Sequence, residues 1–450
     1  MIATYPTPRS VGDVSGSWIL LFATLCAMPI LKIGEVQLLE LVQLLTLPFL
    51  FLLFAGKGFR IPIHGVWREH GPWYAAFIGA CLALGLLSLR LTFFPPPEIS
   101  FLKQPFVISL SRIAELFLGA HFMLTIADIF RRDGRRLRQT LDIYWIVGTL
   151  SAVLSIGSAM LMAIAGVNLY FVYGQDLRVR GFFNEAGPYG VFLVSVTLVL
   201  LLRAHYFPKG FRVIRNVSLV IVLAALFQSS SKAGFLAMAS LCGVIGLSAV
   251  KARQRIALIA GCVLVGGLTW WLLGFQILNY LNDYTDFEEA LANRPDDPGL
   301  IMGRIVGAII VPRMISEHPL AGVGIGNYSL VRNDPAYLQG LPTVTEWDLP
   351  GLGLVGLAAE LGIPLTLLLV LLLLRPLHRA RRIGAPWILL CTSAFQPVAV
   401  LVGVNINFFY PWLVTAIALA IPGDQLQLAP VYKKTEPWRP RFRSSIETVG

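Results

Sequence analysis

Few side chains in this sequence could do chemistry, because ionisable groups are scarce outside short clusters. The stretch EHPLAGVGIGNY, residues 317–328, gathers His318, Pro319 and three glycines just after Ile301–Ile315, which reads as a short amphipathic helix. Pro319 ends that helix, and Gly322, Gly324 and Gly326 allow tight turns and close approach to a ligand. His318 could take a hydroxyl proton as a general base near neutral pH, or it could cap helix carbonyls. Arginine pairs with phosphate oxygens through a planar fork, so the few arginines in outer segments stand out as possible oxyanion holders, and a lysine there adds a point charge. Such charge acts most strongly where water is scarce. Plainer uses stand beside these: head-group anchoring for Arg178 and Arg180, a turn satisfied by Ser229, Ser230 and Ser231 around Lys232, and an acid partner within its own loop for Arg304.

The elements that must carry these groups are apolar. Hydrophobic residues make up 56% of the 450, charged residues 14%, and the mean hydropathy is +0.71, which excludes an ordinary soluble domain. Runs of about twenty apolar residues, enough to cross ~30 Å of hydrocarbon, recur along the chain. The expected fold is all-α and polytopic, with twelve spans near 17–33, 36–55, 72–94, 105–129, 140–166, 187–203, 215–230, 233–250, 256–274, 352–374, 385–403 and 405–421. The net charge of +11 lies in clusters between spans, such as RRDGRRLR at 131–138 and RPLHRARR at 375–382. That is the charge bias of cytoplasmic loops, so the basic balance reports topology and not a nucleic-acid site. Both termini are then cytoplasmic. The organisation reads as nine spans over 1–274, one large periplasmic loop over 275–351, three spans over 352–421, and a cytoplasmic tail over 422–450. The first apolar run reads as a retained helix, since no small-residue cleavage site follows it. All five cysteines lie in apolar runs and read as packing residues, with no metal-type spacing.

Long loops without function are uncommon, and 275–351 combines an acidic start, an amphipathic stretch and the glycine turn. A second outer segment, 167–187, holds YGQDLRVRGFFNEAGPYG. Within the fourth span Arg112 and Glu115 are three apart and can pair, and with His121 and Asp128 they form a polar stripe. Arg90, near the outer end of the third span, could point into a substrate cavity.

Four motifs in order, RVRGFFNEAGPYG, QSSSKAGFLAM, GRIVGAIIVPRMISEHPLAGVGIGNY and LAAELGIPL, resemble the O-antigen ligase and O-antigen polymerase superfamily of bacterial inner membranes, over roughly residues 170–375. The resemblance implies a GT-C-like, metal-independent, inverting glycosyltransferase working without a cofactor at the periplasmic face. Its donor would be a saccharide on a polyprenyl diphosphate, for example undecaprenyl diphosphate. Its acceptor would be a sugar hydroxyl on lipid A core, on another lipid-linked chain, or on a protein. Membrane lipid and a chain-length regulator are the further partners implied, and the product is a surface polysaccharide such as O-antigen or exopolysaccharide. The family's patterns map onto Arg180, Lys232 and Arg304 as a diphosphate clamp, with His318 or Asp348 assisting the acceptor. Arg178, Glu185, Arg313, Asn327 and Arg90 are the expected substrate-binding residues.

Two departures bear on the member. Ligases usually carry arginine where Lys232 stands, and a histidine where this chain has Gly351, followed by Leu352. Glu185 and Glu360, at outer span ends, could substitute for that histidine. Polymerases are described with an arginine eleven residues before a glycine, a spacing that Arg313 and Gly324 reproduce. The expectation is therefore a polymerase or divergent relative, with lipid A core ligation as the alternative within the class. A polysaccharide-lipid flippase or transporter is the alternative outside it; such proteins place binding groups near the midplane, on broken helices within repeats.

Overall fold

The computed structural model describes residues 65–173, 177–208, 211–248 and 281–421, with a short ribbon at 32–37 and scattered positions between 256 and 279. The expected spans near 17–33, 36–55 and 256–274 and the tail lie outside the described residues. Strands β1 (Lys32–Ile33) and β2 (Val36–Gln37) pair antiparallel at the tight turn expected between the first two spans.

Long helices dominate: α1 (Gly65–Ser88), α2 (Val107–Arg132), α3 (Gly134–Ala165), α4 (Ala186–Tyr206), α5 (Arg212–Gln228) and α6 (Lys232–Ser248) precede the loop region. A second ribbon, β3 (Val172–Tyr173) with β4 (Arg178–Val179), links α3 to α4. After the loop come α12 (Leu354–Arg382), α13 (Trp387–Leu401) and α14 (Phe409–Ala420). Among the described residues six helical stretches are long and apolar enough to cross a membrane. Five coincide with expected spans. The sixth, Pro298–Glu317, falls in the expected loop and is broken in two at Met302–Gly303.

Packing is close because small residues sit where helices meet. Gly119 of α2 lies under the Trp412 indole of α14, and Gly148 of α3 under Val196 of α4. Between α4 and α6 the contact is backbone on backbone: a methyl added at Gly234 would stand 2.9 Å from the Gly190 carbonyl carbon. Ser231 completes that contact by donating to the Gly187 carbonyl at 3.0 Å while accepting from Gly234 N–H at 3.0 Å. The start of α6, and Lys232 with it, is thereby held against α4.

The segment between α6 and α12 is a folded layer with its own helices: α7 (Phe287–Asn293), α8 (Pro298–Ile301), α9 (Arg304–Glu317), α10 (Tyr328–Val331) and α11 (Pro335–Leu338). Val306, Ile310, Met314, Tyr328 and Tyr337 form its core, closed by Ala359 of α12. The helix expected from Ile301 starts instead at Arg304, because Gly303 takes φ 81° and its N–H is bound by the Asp348 carboxylate at 2.8 Å. The glycine turn plugs into a break in α12, where Gly362 has φ 73° and ψ 166°. That break frees carbonyls that must find donors. Val323 N–H donates to Ala359 O and Gly324 N–H to Glu360 O, each at 2.9 Å. A side chain at Gly322 would collide with the Glu360 carbonyl, and one at Gly326 would meet Arg112 Cγ at 2.9 Å. The glycines are there for positive φ and for contact without a Cβ.

Candidate functional site

A cavity of about 520 Å³ opens where this layer meets the ends of the long helices. Its charged lining is Arg112 from α2, Arg304 from the first turn of α9, Glu185 from the residue before α4, and Glu360 beside the break in α12. Asn184, Asn405 and Asn407 add amide groups, and Trp347 an indole. That mixture of a few convergent polar groups with an apolar wall suits a ligand that is part saccharide and part anion.

Cations surround the α9 end of the cavity. Lys232 stands at the first position of α6, ahead of its apolar stretch, with Ala233 on the cavity wall. Burial, then the positive charges of Arg304 and Arg178, push its pKa below the ordinary lysine value. Arg304 is exposed on the wall and has no carboxylate partner among the described residues, so the loop-acid pairing does not occur there. Two helices therefore start on cations, α6 on Lys232 and α9 on Arg304, with no acid in either first turn. A helix N-terminus is already partly positive, so a cation there opposes the fold's own field. The arrangement concentrates positive potential and suits an anion.

Arg178, expected as a substrate contact, is the second positive neighbour of Lys232; its Nε also donates to the Ser229 carbonyl at 3.4 Å. Arg180 lies two residues on. Its Nε donates to Tyr170 O at 2.6 Å and its Nη1 to Asn184 O at 3.2 Å, with the guanidinium 4.2 Å from the Tyr170 ring. It fastens the turn that presents Asn184 and Glu185.

Other expected residues are engaged elsewhere. Asp348 is buried in an ion pair with Arg332, Oδ2 to Nε 2.7 Å, and receives Gly303 N–H on Oδ1. Burial pushes its carboxyl above the usual carboxylate range, opposed by Arg332. It does not line the cavity; it holds the backbone on which Arg304 stands. His318 follows α9 as its C-terminal residue, with its carbonyl taken by Gly322 N–H at 2.9 Å, and also lies off the cavity wall. Arg313 donates to the carbonyls of Tyr337 and Leu338, closing α11. Asn327 is fully buried, its amide donating to Val323 O at 3.0 Å and Ser88 Oγ at 3.3 Å while accepting from Ser109 Oγ at 3.1 Å. Arg90 is exposed just past α1 and is not part of the lining.

Other cavity groups entered the sequence reading only as a buried ion pair or as possible substitutes for the missing histidine. Arg112 pairs with Glu115 at 2.7 Å, as the three-residue spacing implies, yet it also faces the cavity. The rest of the polar stripe is used up locally, His121 stacking on Phe117 and Asp128 pairing with Arg132. Glu360 accepts Tyr328 N–H at 3.4 Å, and Arg112 acts on its charge. Gly351 is on the wall with φ 59°, and a methyl there would stand 2.8 Å from Arg304 Cγ. The position at which the family resemblance implied histidine thus packs against the Arg304 side chain.

Residues 217–370 match the family model described as O-antigen ligase. That stretch, about a third of the chain, is similar to the O-antigen ligase family. The matched region runs from α5 into α12, and so includes Lys232, Arg304, the glycine turn and Glu360, but not Arg112, Arg178 or the 400–408 wall. No curated protein matches the chain. The long apolar helices among the described residues suggest a multi-pass membrane protein.

Proposed function

We propose that the chain transfers a saccharide from a polyprenyl diphosphate to a sugar hydroxyl, at the periplasmic face of a bacterial inner membrane. The observation that carries this reading is the pair of helices, α6 and α9, that begin on Lys232 and Arg304 beside one cavity, with Arg178 acting on the same lysine. The acceptor oxygen bonds to the anomeric carbon as the bond from that carbon to the diphosphate oxygen breaks, with inversion. Charge accumulates on the departing diphosphate, and the three cations stabilise it in the role a divalent ion plays elsewhere. Arg180 contributes by fixing the turn. The hydroxyl proton passes to a cavity carboxylate, Glu360 in preference to Glu185, because Glu360 is held in place by the glycine turn. Trp347, Asn405 and Asn407 offer a stacking face and amides for sugar.

Glycine at 351 favours a polymerase, whose acceptor is another lipid-linked chain, over transfer to lipid A core or protein. A flippase or transporter is disfavoured because the lining comes from helix ends and the loop layer. Arg304→Ala in the deletion strain tests the reading. Surface polymer should disappear at normal protein level, while single lipid-linked repeat units accumulate. Accumulation of full-length unligated chains would assign ligation instead, and unchanged polymer would refute a role for Arg304.

A further inference from the structure

The same helices carry a second charged cluster at their other end. Nineteen residues of α2 separate Arg112, on the cavity wall, from Arg131, a rise of about 28 Å and close to one hydrocarbon thickness. Around Arg131 stand Glu69 and His70 of α1, Arg375 and Arg379 of α12, and the carbonyl end of α14.

The donors do not balance the acceptors. Glu69 is taken up by Arg131, Oε1 and Oε2 each 3.2 Å from a guanidinium nitrogen. The Leu419 carbonyl accepts from Arg131 Nε at 3.0 Å and from Arg379 Nη1 at 2.7 Å. Arg375 gives Nη2 to the Glu69 carbonyl at 3.2 Å and stacks 4.8 Å from the Trp73 ring. A guanidinium has five N–H groups, so Arg375 and Arg379, four apart on one helix face, both keep donors in hand. Neither has a carboxylate partner among the described residues. His70 is 4% exposed; its Nε2 makes no hydrogen bond but lies 3.7 Å from Glu69 Oε2, and its other charged neighbours are Arg375, Arg379 and Arg131. Trp73 is half exposed, as suits an indole at the head-group level.

We propose that Arg375, Arg379 and His70 form a binding site for a phosphate-bearing anion, the head group of an anionic phospholipid in the leaflet opposite the cavity. The phosphate oxygens accept the spare N–H groups of the two arginines, His70 Nε2 meets the head group, and an acyl chain lies along the exposed Trp73 and Leu374. Binding ties α1, α12 and α14 together at the end away from the cavity.

The test uses the full chain purified in detergent and examined by native mass spectrometry, with phosphatidylglycerol, phosphatidylcholine or inorganic phosphate added. Phosphatidylglycerol should be retained over phosphatidylcholine. The Arg375→Gln/Arg379→Gln double variant should weaken that retention about 25-fold, from two contacts of roughly fivefold each. Arg381→Gln/Arg382→Gln, which removes two exposed charges nearby, should leave it unchanged. Inorganic phosphate that binds with the same dependence on Arg375 and Arg379, and displaces no lipid, would keep the site but reassign its source to free anion. Equal phosphatidylglycerol retention by wild type and the first double variant would overturn the proposal, as would equal loss in the control.

Discussion

At the residue scale, the informative feature is a lysine placed against its helix dipole, with arginines as neighbours. An ammonium that burial and like charges weaken suits an anionic neighbour, and it loses its proton at lower pH than an ordinary lysine. Activity depending on that charge is present below the lowered pKa and is lost as pH rises through it. Lys232→Arg should therefore move the alkaline limb of the rate–pH profile upward, because guanidinium does not titrate in this range. An unchanged alkaline limb would show that Lys232 does not set it. Lys232→Met should lower turnover about 100-fold or more, the scale of losing one donor to developing charge. Glu360→Gln should reduce turnover while donor binding persists, as measured with lipid-linked saccharide; loss of binding instead would make it a donor contact. Lys232 and Arg304 could be picked out from motif and charge. Glu360 could be named as one possible substitute for the missing histidine and Arg112 only as a charge in an apolar run, since what they face is not written in their spacing.

At the element scale, α12 is broken and the glycine turn repairs it. The two sequence features, a GVGIG run and an ELGIP run some forty residues apart, are complementary: one exposes carbonyls and the other supplies N–H groups. Gly322→Ala and Gly384→Ala separate strain from collision. Both sites have positive φ, but a methyl at Gly384 meets nothing within 4 Å, whereas at Gly322 it strikes the Glu360 carbonyl. Thermal unfolding in detergent should show a cost of about 1 kcal/mol for Gly384→Ala. Gly322→Ala should cost several times more, because backbone must move. Equal costs would mean that the turn is not clamped in the break. The amphipathic reading from Ile301 erred at its start for a tertiary reason: Asp348, from far along the chain, binds Gly303 N–H and begins the helix at Arg304.

At the scale of the molecule, the loop layer is held together by a buried charge pair. Arg332 is 0% and Asp348 2% exposed in their side chains, and Arg332 also donates to Ile301 and Pro342 carbonyls on either side. Removing one partner leaves an uncompensated buried charge, so Asp348→Asn or Arg332→Met should each destabilise by about 3–5 kcal/mol. Arg332→Met with Asp348→Leu should recover much of that loss in thermal unfolding, since an apolar pair can replace a buried ion pair. A double variant as unstable as the sum of the singles would show that the contacts to backbone carbonyls and Gly303, not the pairing of charges, hold the layer. Neither residue stands out in sequence as a pair, sixteen positions apart in a polar stretch.

Apolar run length determined, without any coordinates, that long helices would dominate; five of the six described candidate spans coincide with ones expected from hydropathy, because burying backbone in hydrocarbon admits few alternatives, while Pro298–Glu317 falls in the expected loop. The order of motifs pointed to the family whose model matches residues 217–370, since their residues meet requirements of local geometry and charge. Which groups share a cavity was decided by tertiary structure alone. Arg304 faces the cavity because Asp348 holds Gly303, Lys232 adjoins it because Gly190 and Gly234 bring α4 and α6 into contact, and Glu360 is fixed there by a turn more than thirty residues upstream. Those are distances between remote segments, and no periodicity or local propensity encodes them.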